Sequence, residues 1–212
     1  MRHSWQVLVL SLSIVCLQAC TDKMTWTEDV RLPDGRTLRL EREADFGGDT
    51  PELGGPRTES RQRIKFTEPD TQKLVVWENG PKRRLGVVAL WMDKGRPTIL
   101  TTPLYVGDLR QFGCPNPPYL AYQYVSDQWR TVPWASLPDT AVRANLTTHP
   151  FDARERIAQS QGHLSAAQTS NPVIYLGGVR PVPYVVRLRS SVPQTVAEKN
   201  CARPRDLMIE SE

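Results

Sequence analysis

The sequence predicts a mainly β protein, folded as an antiparallel β-sandwich or a strongly curved sheet with one short peripheral helix. Many short stretches alternate apolar and polar residues, which places successive side chains on opposite faces of a strand. Turn-forming residues separate these stretches, and 18 prolines and 13 glycines argue against a helical bundle. Only one stretch has the composition and spacing of a helix, so an antiparallel β architecture is expected.

The clearest predicted element is a β-hairpin near residue 30. Apolar side chains recur on one face of its first strand, at Met24, Trp26, Val30 and Leu32. Glu28 interrupts that face. Pro33-Asp34-Gly35 predicts a tight turn, because proline presets its own dihedral and glycine accepts a left-handed one. Alternation then resumes from Thr37 to Arg42, which completes the hairpin.

Further strands are predicted over residues 63–67, 74–77, 85–92, 98–102, 120–125, 129–134, 173–176 and 184–188. The stretch Leu85 to Met92 is the most apolar, which predicts a central strand buried on both faces. The helix is predicted over Asp152 to Gln168, with Asp152 as N-cap and Glu155 completing a capping box. Gly162 weakens this helix, so a pair of turns is the alternative.

The first residues have the character of an export signal. A basic start carrying Arg2 leads into an apolar run from Val7 to Leu17, which is too short to span a bilayer comfortably. The run ends in Leu17-Gln18-Ala19-Cys20. This tetrapeptide resembles the lipobox of bacterial lipoproteins, which implies cleavage before Cys20 and acylation of that residue.

The lipobox resemblance and the pattern of strands together predict the organisation of the chain. Residues 1–19 are the signal peptide, residues 20–23 the acylated cysteine with a minimal linker, residues 24–202 a single β-rich domain and residues 203–212 a polar tail. Thr21, rather than an acidic residue, follows Cys20. By resemblance to the usual lipoprotein sorting pattern, this implies the outer membrane, with the domain facing the periplasm and the Cys20 acyl chains in the membrane.

A second resemblance covers most of the remaining chain. It is carried by the stretch from Val30-Arg31-Leu32-Pro33-Asp34-Gly35-Arg36 to Leu40-Glu41-Arg42, by Cys114-Pro115-Asn116-Pro117-Pro118-Tyr119, and by Trp129 through Leu137-Pro138. Together these motifs resemble a group of uncharacterised proteobacterial lipoproteins or secreted proteins. The motifs are structural turns and strand edges, so the resemblance supports the predicted fold and implies no activity.

The four cysteines fit an exported protein. Cys16 leaves with the signal and Cys20 is the lipid site, so Cys114 and Cys201 remain. Two such cysteines in an exported protein most often form one disulfide, which would stabilise by roughly 3–5 kcal/mol on the chain-entropy model. Two free thiols and a partial metal site are the alternatives.

Charge and motif content exclude several functions. A formal net charge of +4 is too small to indicate a nucleic-acid partner. His149 and His163, the histidines beyond the signal, lie outside any Gly-x-Ser-x-Gly or His-x-x-x-His context, so no catalytic residue, metal ligand or cofactor is assigned. Glu41, Glu43 and Asp45 cluster after the hairpin. Glu41 and Glu43 alternate with Arg42 in a strand that we expect to be exposed, so we expect solvated charges there rather than the facing pair of a glycosidase.

Five aromatic residues are the candidate binding surface: Tyr119, Tyr122, Tyr124, Trp129 and Trp134. If their two segments pair as a hairpin, several rings share one face and can stack on sugar rings or a protein partner. The alternative is that the rings belong to the core and to cross-strand pairs.

These observations predict a lipid-anchored envelope protein that acts as a binding or structural accessory, with an envelope protein or a glycan as its partner. Two alternatives stay open. One is an envelope glycan hydrolase with an unidentified carboxylate pair. The other is an adhesin or assembly factor that uses an open sheet edge.

Overall fold

The protein is mainly β, as the sequence predicts, with two main sheets packed as a sandwich, a small two-stranded sheet and a few short helices. The computed structural model describes residues 22–47, 59–80, 83–104, 106–115, 118–133, 137, 141–150, 153–169 and 185–187. The predicted strand over 173–176 and the residues Cys20, Trp134 and Cys201 lie outside these ranges.

The first sheet contains four consecutive antiparallel strands: β1 (Asp22–Arg31), β2 (Thr37–Phe46), β3 (Glu59–Thr67) and β4 (Leu74–Glu78). The predicted hairpin forms its first half. Val30 pairs with Leu38 across the turn, and Gly35 takes the left-handed dihedral φ of 87° that glycine tolerates best.

The second sheet is also antiparallel and follows chain order: β5 (Leu85–Asp93), β6 (Arg96–Pro103), β7 (Leu120–Val125) and β8 (Gln128–Val132). The remaining elements are short: α1 (Val106–Gln111), β9 (Ala141–Arg143), α2 (Arg154–Gln159), β10 (His163–Leu164), α3 (Ala166–Thr169) and β11 (Val185–Arg187). In the described part of the chain, every helix is too short or too polar to cross a membrane.

The main core lies between the two sheets. The first sheet contributes buried side chains from β1 to β4, among them Val30, Leu40, Ile64 and Trp77, and the second sheet contributes Val87, Leu90 and Ile99. This interdigitation of two inner faces is the usual core of a β-sandwich.

A second buried cluster extends the inner face of the first sheet beyond the second sheet. Its sheet residues include Trp26 and Phe46, and Ile157 of α2 covers them. The helix is peripheral, as predicted, and it seals the part of the first sheet that the second sheet does not cover.

Strand β5 is buried on both faces, as predicted. Among the described strands, however, it lies at the edge of its sheet and not in the centre, where it had been predicted. Asn145 covers the open edge. Its backbone N–H donates to the Val88 carbonyl at 3.2 Å, and its side-chain amide both accepts from and donates to the backbone of Leu90 at 2.9 Å. Asn145 therefore satisfies backbone groups of Val88 and Leu90 on the side of β5 where the described residues form no further strand.

The helix prediction over Asp152 to Gln168 was wrong in its length and its cap. Helix α2 ends at Gln159, and its N-cap is Ala153, whose side chain forms no cap hydrogen bond. Gly162 takes a φ of 79° and its N–H donates to the Ile157 carbonyl at 2.8 Å, which stops the helix. The chain then continues as strand β10, where helical periodicity had been expected.

Candidate functional site: a polar groove on the first sheet

A shallow groove of about 400 Å³ lies on the outer face of the first sheet. Its lining comes from three neighbouring strands and from the turn before β10: Thr25, Thr27, Glu41, Glu43, Arg63, Lys65 and Gly162, with Trp26 and Arg42 beneath. Strand alternation explains this lining, because the side chains between these positions point inward to the core.

Acidic residues of β2 face basic residues of β3 across the groove. The register places Glu41 opposite Lys65, and Asp45 opposite Arg61. The Lys65 ammonium lies 2.7 Å from the Glu41 carboxylate, and the Arg61 guanidinium lies 3.2 Å from that of Asp45. Opposite charges at directly paired positions stabilise a sheet, so the acidic cluster is a ladder of cross-strand ion pairs.

One carboxylate of this face, that of Glu43, is held in its charged form. The hydrogen bond from Lys23, whose ammonium lies 2.8 Å away, lowers the pKa of Glu43 below its ordinary value. A glycosidase needs a carboxylic acid whose pKa is raised. Glu43 is shifted in the opposite direction.

One constellation at the edge of the groove was not predicted. The Thr27 hydroxyl oxygen lies 2.8 Å from Nδ1 of His163, and Nε2 of the same ring lies 3.2 Å from the Asp29 carboxylate. Strand β10 pairs in parallel with β1 and places Thr27 directly beside His163. These residues are 136 positions apart in sequence, so no local motif announces the contact.

The neighbours of the imidazole determine where its proton lies. Asp29 can only accept a hydrogen bond when ionised, so we assign the proton of neutral His163 to Nε2. Nδ1 is then an acceptor for the Thr27 hydroxyl. The hydrogen bond from Arg39 is the main cause that lowers the pKa of Asp29, with His163 adding to it, so Asp29 is anionic at neutral pH.

The predicted aromatic residues are divided between two sides of the second sheet. Tyr122, Tyr124 and Trp129 pack, half-buried, against the core between the sheets, and the rings of Tyr124 and Trp129 lie 5.3 Å apart. Tyr119 is buried in a separate cluster on the opposite face, where burial raises its pKa to about 12. Trp134 lies outside the described residues.

Trp129 also joins the two layers. Its indole N–H donates to the Val76 carbonyl of β4 at 2.7 Å. Tyr122 lies against Trp77 of the same strand, with ring centroids 6.0 Å apart. Through these contacts, the Tyr- and Trp-rich hairpin of β7 and β8 packs against β4 of the first sheet.

Sequence reasoning missed a buried ion pair beneath the groove. Arg42 was expected on an exposed strand, yet its side chain and that of Glu28 are both fully buried, with 2.6 Å between Nη1 and Oε2. Nη2 of Arg42 also donates to the side chain of Gln62 at 3.0 Å and to the Thr147 carbonyl at 3.2 Å. The expectation was wrong because Arg42 continues the inward phase of Leu38 and Leu40.

Only one cysteine of the predicted bridge lies in the described residues. Cys114 follows α1 with a φ of 53°, and Cys201 lies outside the described residues. The Cys114–Cys201 bridge therefore stays a prediction.

Within the described ranges, no group of three or more His, Cys, Asp or Glu side chains is placed to hold a metal ion. No family model, curated protein or solved structure matches the chain.

Proposed function

We propose that the protein is a lipid-anchored component of the bacterial cell envelope, in which the β-sandwich serves as a binding or structural accessory. The observation that carries this proposal is the junction of the lipobox with the fold. Strand β1 begins at Asp22, two positions after Cys20. So short a connection moors the sandwich next to the bilayer, and the three acyl chains expected on Cys20 exceed the two signals that stable anchoring needs.

The polar groove is the surface we propose for the partner. Threonine hydroxyls, carboxylates and cationic side chains lie together there, which suits a hydroxyl-rich glycan or a polar segment of an envelope protein. The mixed charge gives nucleic acid no continuous basic track. The Thr21 sorting pattern favours the outer membrane, with the groove in the periplasm.

Acylation is tested on the protein from its native envelope. Mass spectrometry of the membrane fraction should find an N-terminal, acylated Cys20, and Cys20→Ser should release soluble or unprocessed protein. Cys114→Ser is the matched control and should remain in the membrane. Full-length, unacylated protein in wild-type membranes would contradict the proposal.

The proposed Cys114–Cys201 disulfide is tested by thiol labelling of denatured protein before and after reduction. We expect both thiols to be labelled only after reduction. Ready labelling of both without a reductant would refute the bridge.

A sheet-edge function is the second candidate. In the described part of the chain, β8 is the outermost strand of the second sheet, and Gln128, Arg130 and Thr131 on it are exposed. An extended partner strand would add there through its backbone. Thr131→Pro, which removes a backbone donor, should abolish partner crosslinking at this edge, whereas Thr131→Ala should preserve it.

A further inference from the structure

We propose that Thr27, His163 and Asp29 form an acyl-transfer site that cleaves short-chain esters of polar alcohols. This inference goes beyond an accessory role, and it does not depend on the lipid anchor. In it, Thr27 is the nucleophile, His163 is the general base and Asp29 is the positioning residue.

The three contacts follow the order that activates a hydroxyl nucleophile. The Thr27 oxygen is 2.8 Å from the imidazole nitrogen that lacks a proton, within the reach expected for nucleophile and base. Asp29, 3.2 Å from the other nitrogen, fixes the tautomer and stabilises the imidazolium that forms on proton transfer. The ring is used in the opposite sense to the usual triad, since Nδ1 rather than Nε2 faces the hydroxyl.

Rigid elements hold this geometry. The Thr27 backbone N–H donates to the Gly162 carbonyl at 2.9 Å, immediately before His163. The next residue, Leu164, is fully buried beside Ile157 of α2. The imidazole therefore sits between a backbone hydrogen bond and a hydrophobic anchor, as a preorganised base requires.

The site is open to a substrate. Thr27 lines the groove, and the side chains of Asp29 and His163 are 19% and 38% exposed. Arg63 and Lys65 line the same groove and add positive charge to it, with Lys65 paired to Glu41. The polar lining suits a small acyl group on a hydroxyl-rich alcohol and gives a long acyl chain no apolar pocket.

The chemistry balances with water as the second reactant. The Thr27 oxygen bonds to the ester carbonyl carbon while its proton moves to Nδ1 of His163. The bond from that carbon to the alcohol oxygen breaks, and the alcohol leaves with the proton. Water then attacks the acyl-threonine and gives its proton to His163. The threonine oxygen leaves, recovers a proton from the imidazole and releases the carboxylic acid.

The test uses 4-nitrophenyl acetate and the soluble Cys20→Ser protein. We expect a burst of nitrophenol and one acetyl group on Thr27, located by peptide mapping. Thr27→Ala should abolish the burst and the acetyl group at position 27, and His163→Gln should slow acetylation by about 100-fold or more, the usual contribution of a positioned base. Thr37→Ala is the matched control, because Thr37 is an exposed threonine of the first sheet that does not line the groove, and this variant should react at the wild-type rate.

Further readouts separate this role from a purely structural clasp of β10 on β1. Asp29→Asn should slow acetylation, because it removes the charge that stabilises the imidazolium formed on proton transfer. Thr27→Ser should remain reactive, which keeps the test valid if Thr27→Ala fails to fold. Acetylation spread over lysines, or a wild-type rate in folded Thr27→Ala, would overturn the proposal.

Discussion

The two faces of strand β2 carry ion pairs of opposite character. On the outer face, Glu41 contacts Lys65 in solvent, with side chains 64% and 37% exposed. On the inner face, one residue along, Arg42 contacts Glu28 with both side chains fully buried. The same chemistry therefore occurs in high and low dielectric within one strand, and burial determines what each pair contributes.

The buried pair is held by further polar partners, and of its side-chain nitrogen and oxygen atoms only Nε of Arg42 lacks a hydrogen-bond partner among the described residues. Oε1 of Glu28 accepts from the Trp26 indole at 2.9 Å and from the Thr147 backbone at 3.3 Å, while the Arg42 guanidinium lies 5.0 Å from the Trp26 ring centroid. These bonds offset the desolvation of two charges. They also join β1, β2 and the segment that covers the β5 edge, so the network fixes the packing between the two parts of the core.

The largest expected effect comes from breaking the inner pair. Arg42→Met leaves the Glu28 carboxylate buried without its cation, so the free energy of unfolding should fall by about 3–5 kcal/mol. Urea unfolding measures the loss. The double variant Glu28→Met/Arg42→Met should lose less than Arg42→Met alone, because no buried charge is left over. An equal or larger loss in the double variant would contradict this account.

A smaller effect is expected when the pair stays and one donor is removed. Trp26→Phe deletes the indole N–H that donates to Glu28 while keeping an aromatic ring near Arg42. The free energy of unfolding should fall by about 1–3 kcal/mol, from an unsatisfied buried acceptor and some lost volume. Trp129→Phe is the matched control, since it removes an indole donor to a backbone carbonyl and leaves the ion pair intact. If Arg42→Met lowers the free energy of unfolding by the same amount in the Trp26→Phe variant as in the wild type, Trp26 and Arg42 do not belong to one network.

The outer pair should contribute little. Glu41→Gln removes the partner of Lys65, and the free energy of unfolding should fall by roughly 0.2–1 kcal/mol at low ionic strength. The difference should shrink further in about 1 M salt, because the Debye length is then only about 3 Å. A loss comparable with that of Arg42→Met would mean that both faces stabilise equally.

The smallest expected effect is a pH-dependent change in the free energy of unfolding that comes from Glu43 on the outer face. The folded-state pKa of Glu43 lies below its ordinary value of 4.5, mainly through the hydrogen bond from Lys23. Its contribution is therefore present above that ordinary value and is lost as the pH falls through the folded-state pKa. Glu43→Gln should be slightly less stable than the wild type at pH 7 and equal to it well below pH 4. A gap that widens in acid would reverse the assignment.

The sequence alone revealed elements whose causes are local. Pro33-Asp34-Gly35 specifies its own turn, and the apolar run of Leu85 to Met92 is compatible only with burial on both faces. The predicted strands over 63–67, 98–102 and 120–125 likewise correspond to β3, β6 and β7. Turn dihedrals and alternation are properties of neighbouring residues, so sequence predicts them without a partner.

The candidate site could not be predicted from local sequence patterns in this way. Thr27 and Asp29 occupy outward positions of a strand that the sequence predicts, and His163 was noted as a histidine on a doubtful helix. Their meeting requires the helix to stop at Gly162 and the chain to return along β1. Alternation gives the face of each residue but not which distant segment lies beside it.

What the sequence by itself determined is the class of fold, the first hairpin and the lipobox on which the proposed anchor rests. Only the tertiary structure shows that Arg42 is buried, that Asn145 binds the backbone of β5, and that His163 reaches Thr27. The physical reason is the distance along the chain over which each kind of interaction acts. Turn and strand preferences act between neighbours, whereas the burial of a charge and the alignment of a base depend on segments more than a hundred residues away, which are brought together by the sandwich core.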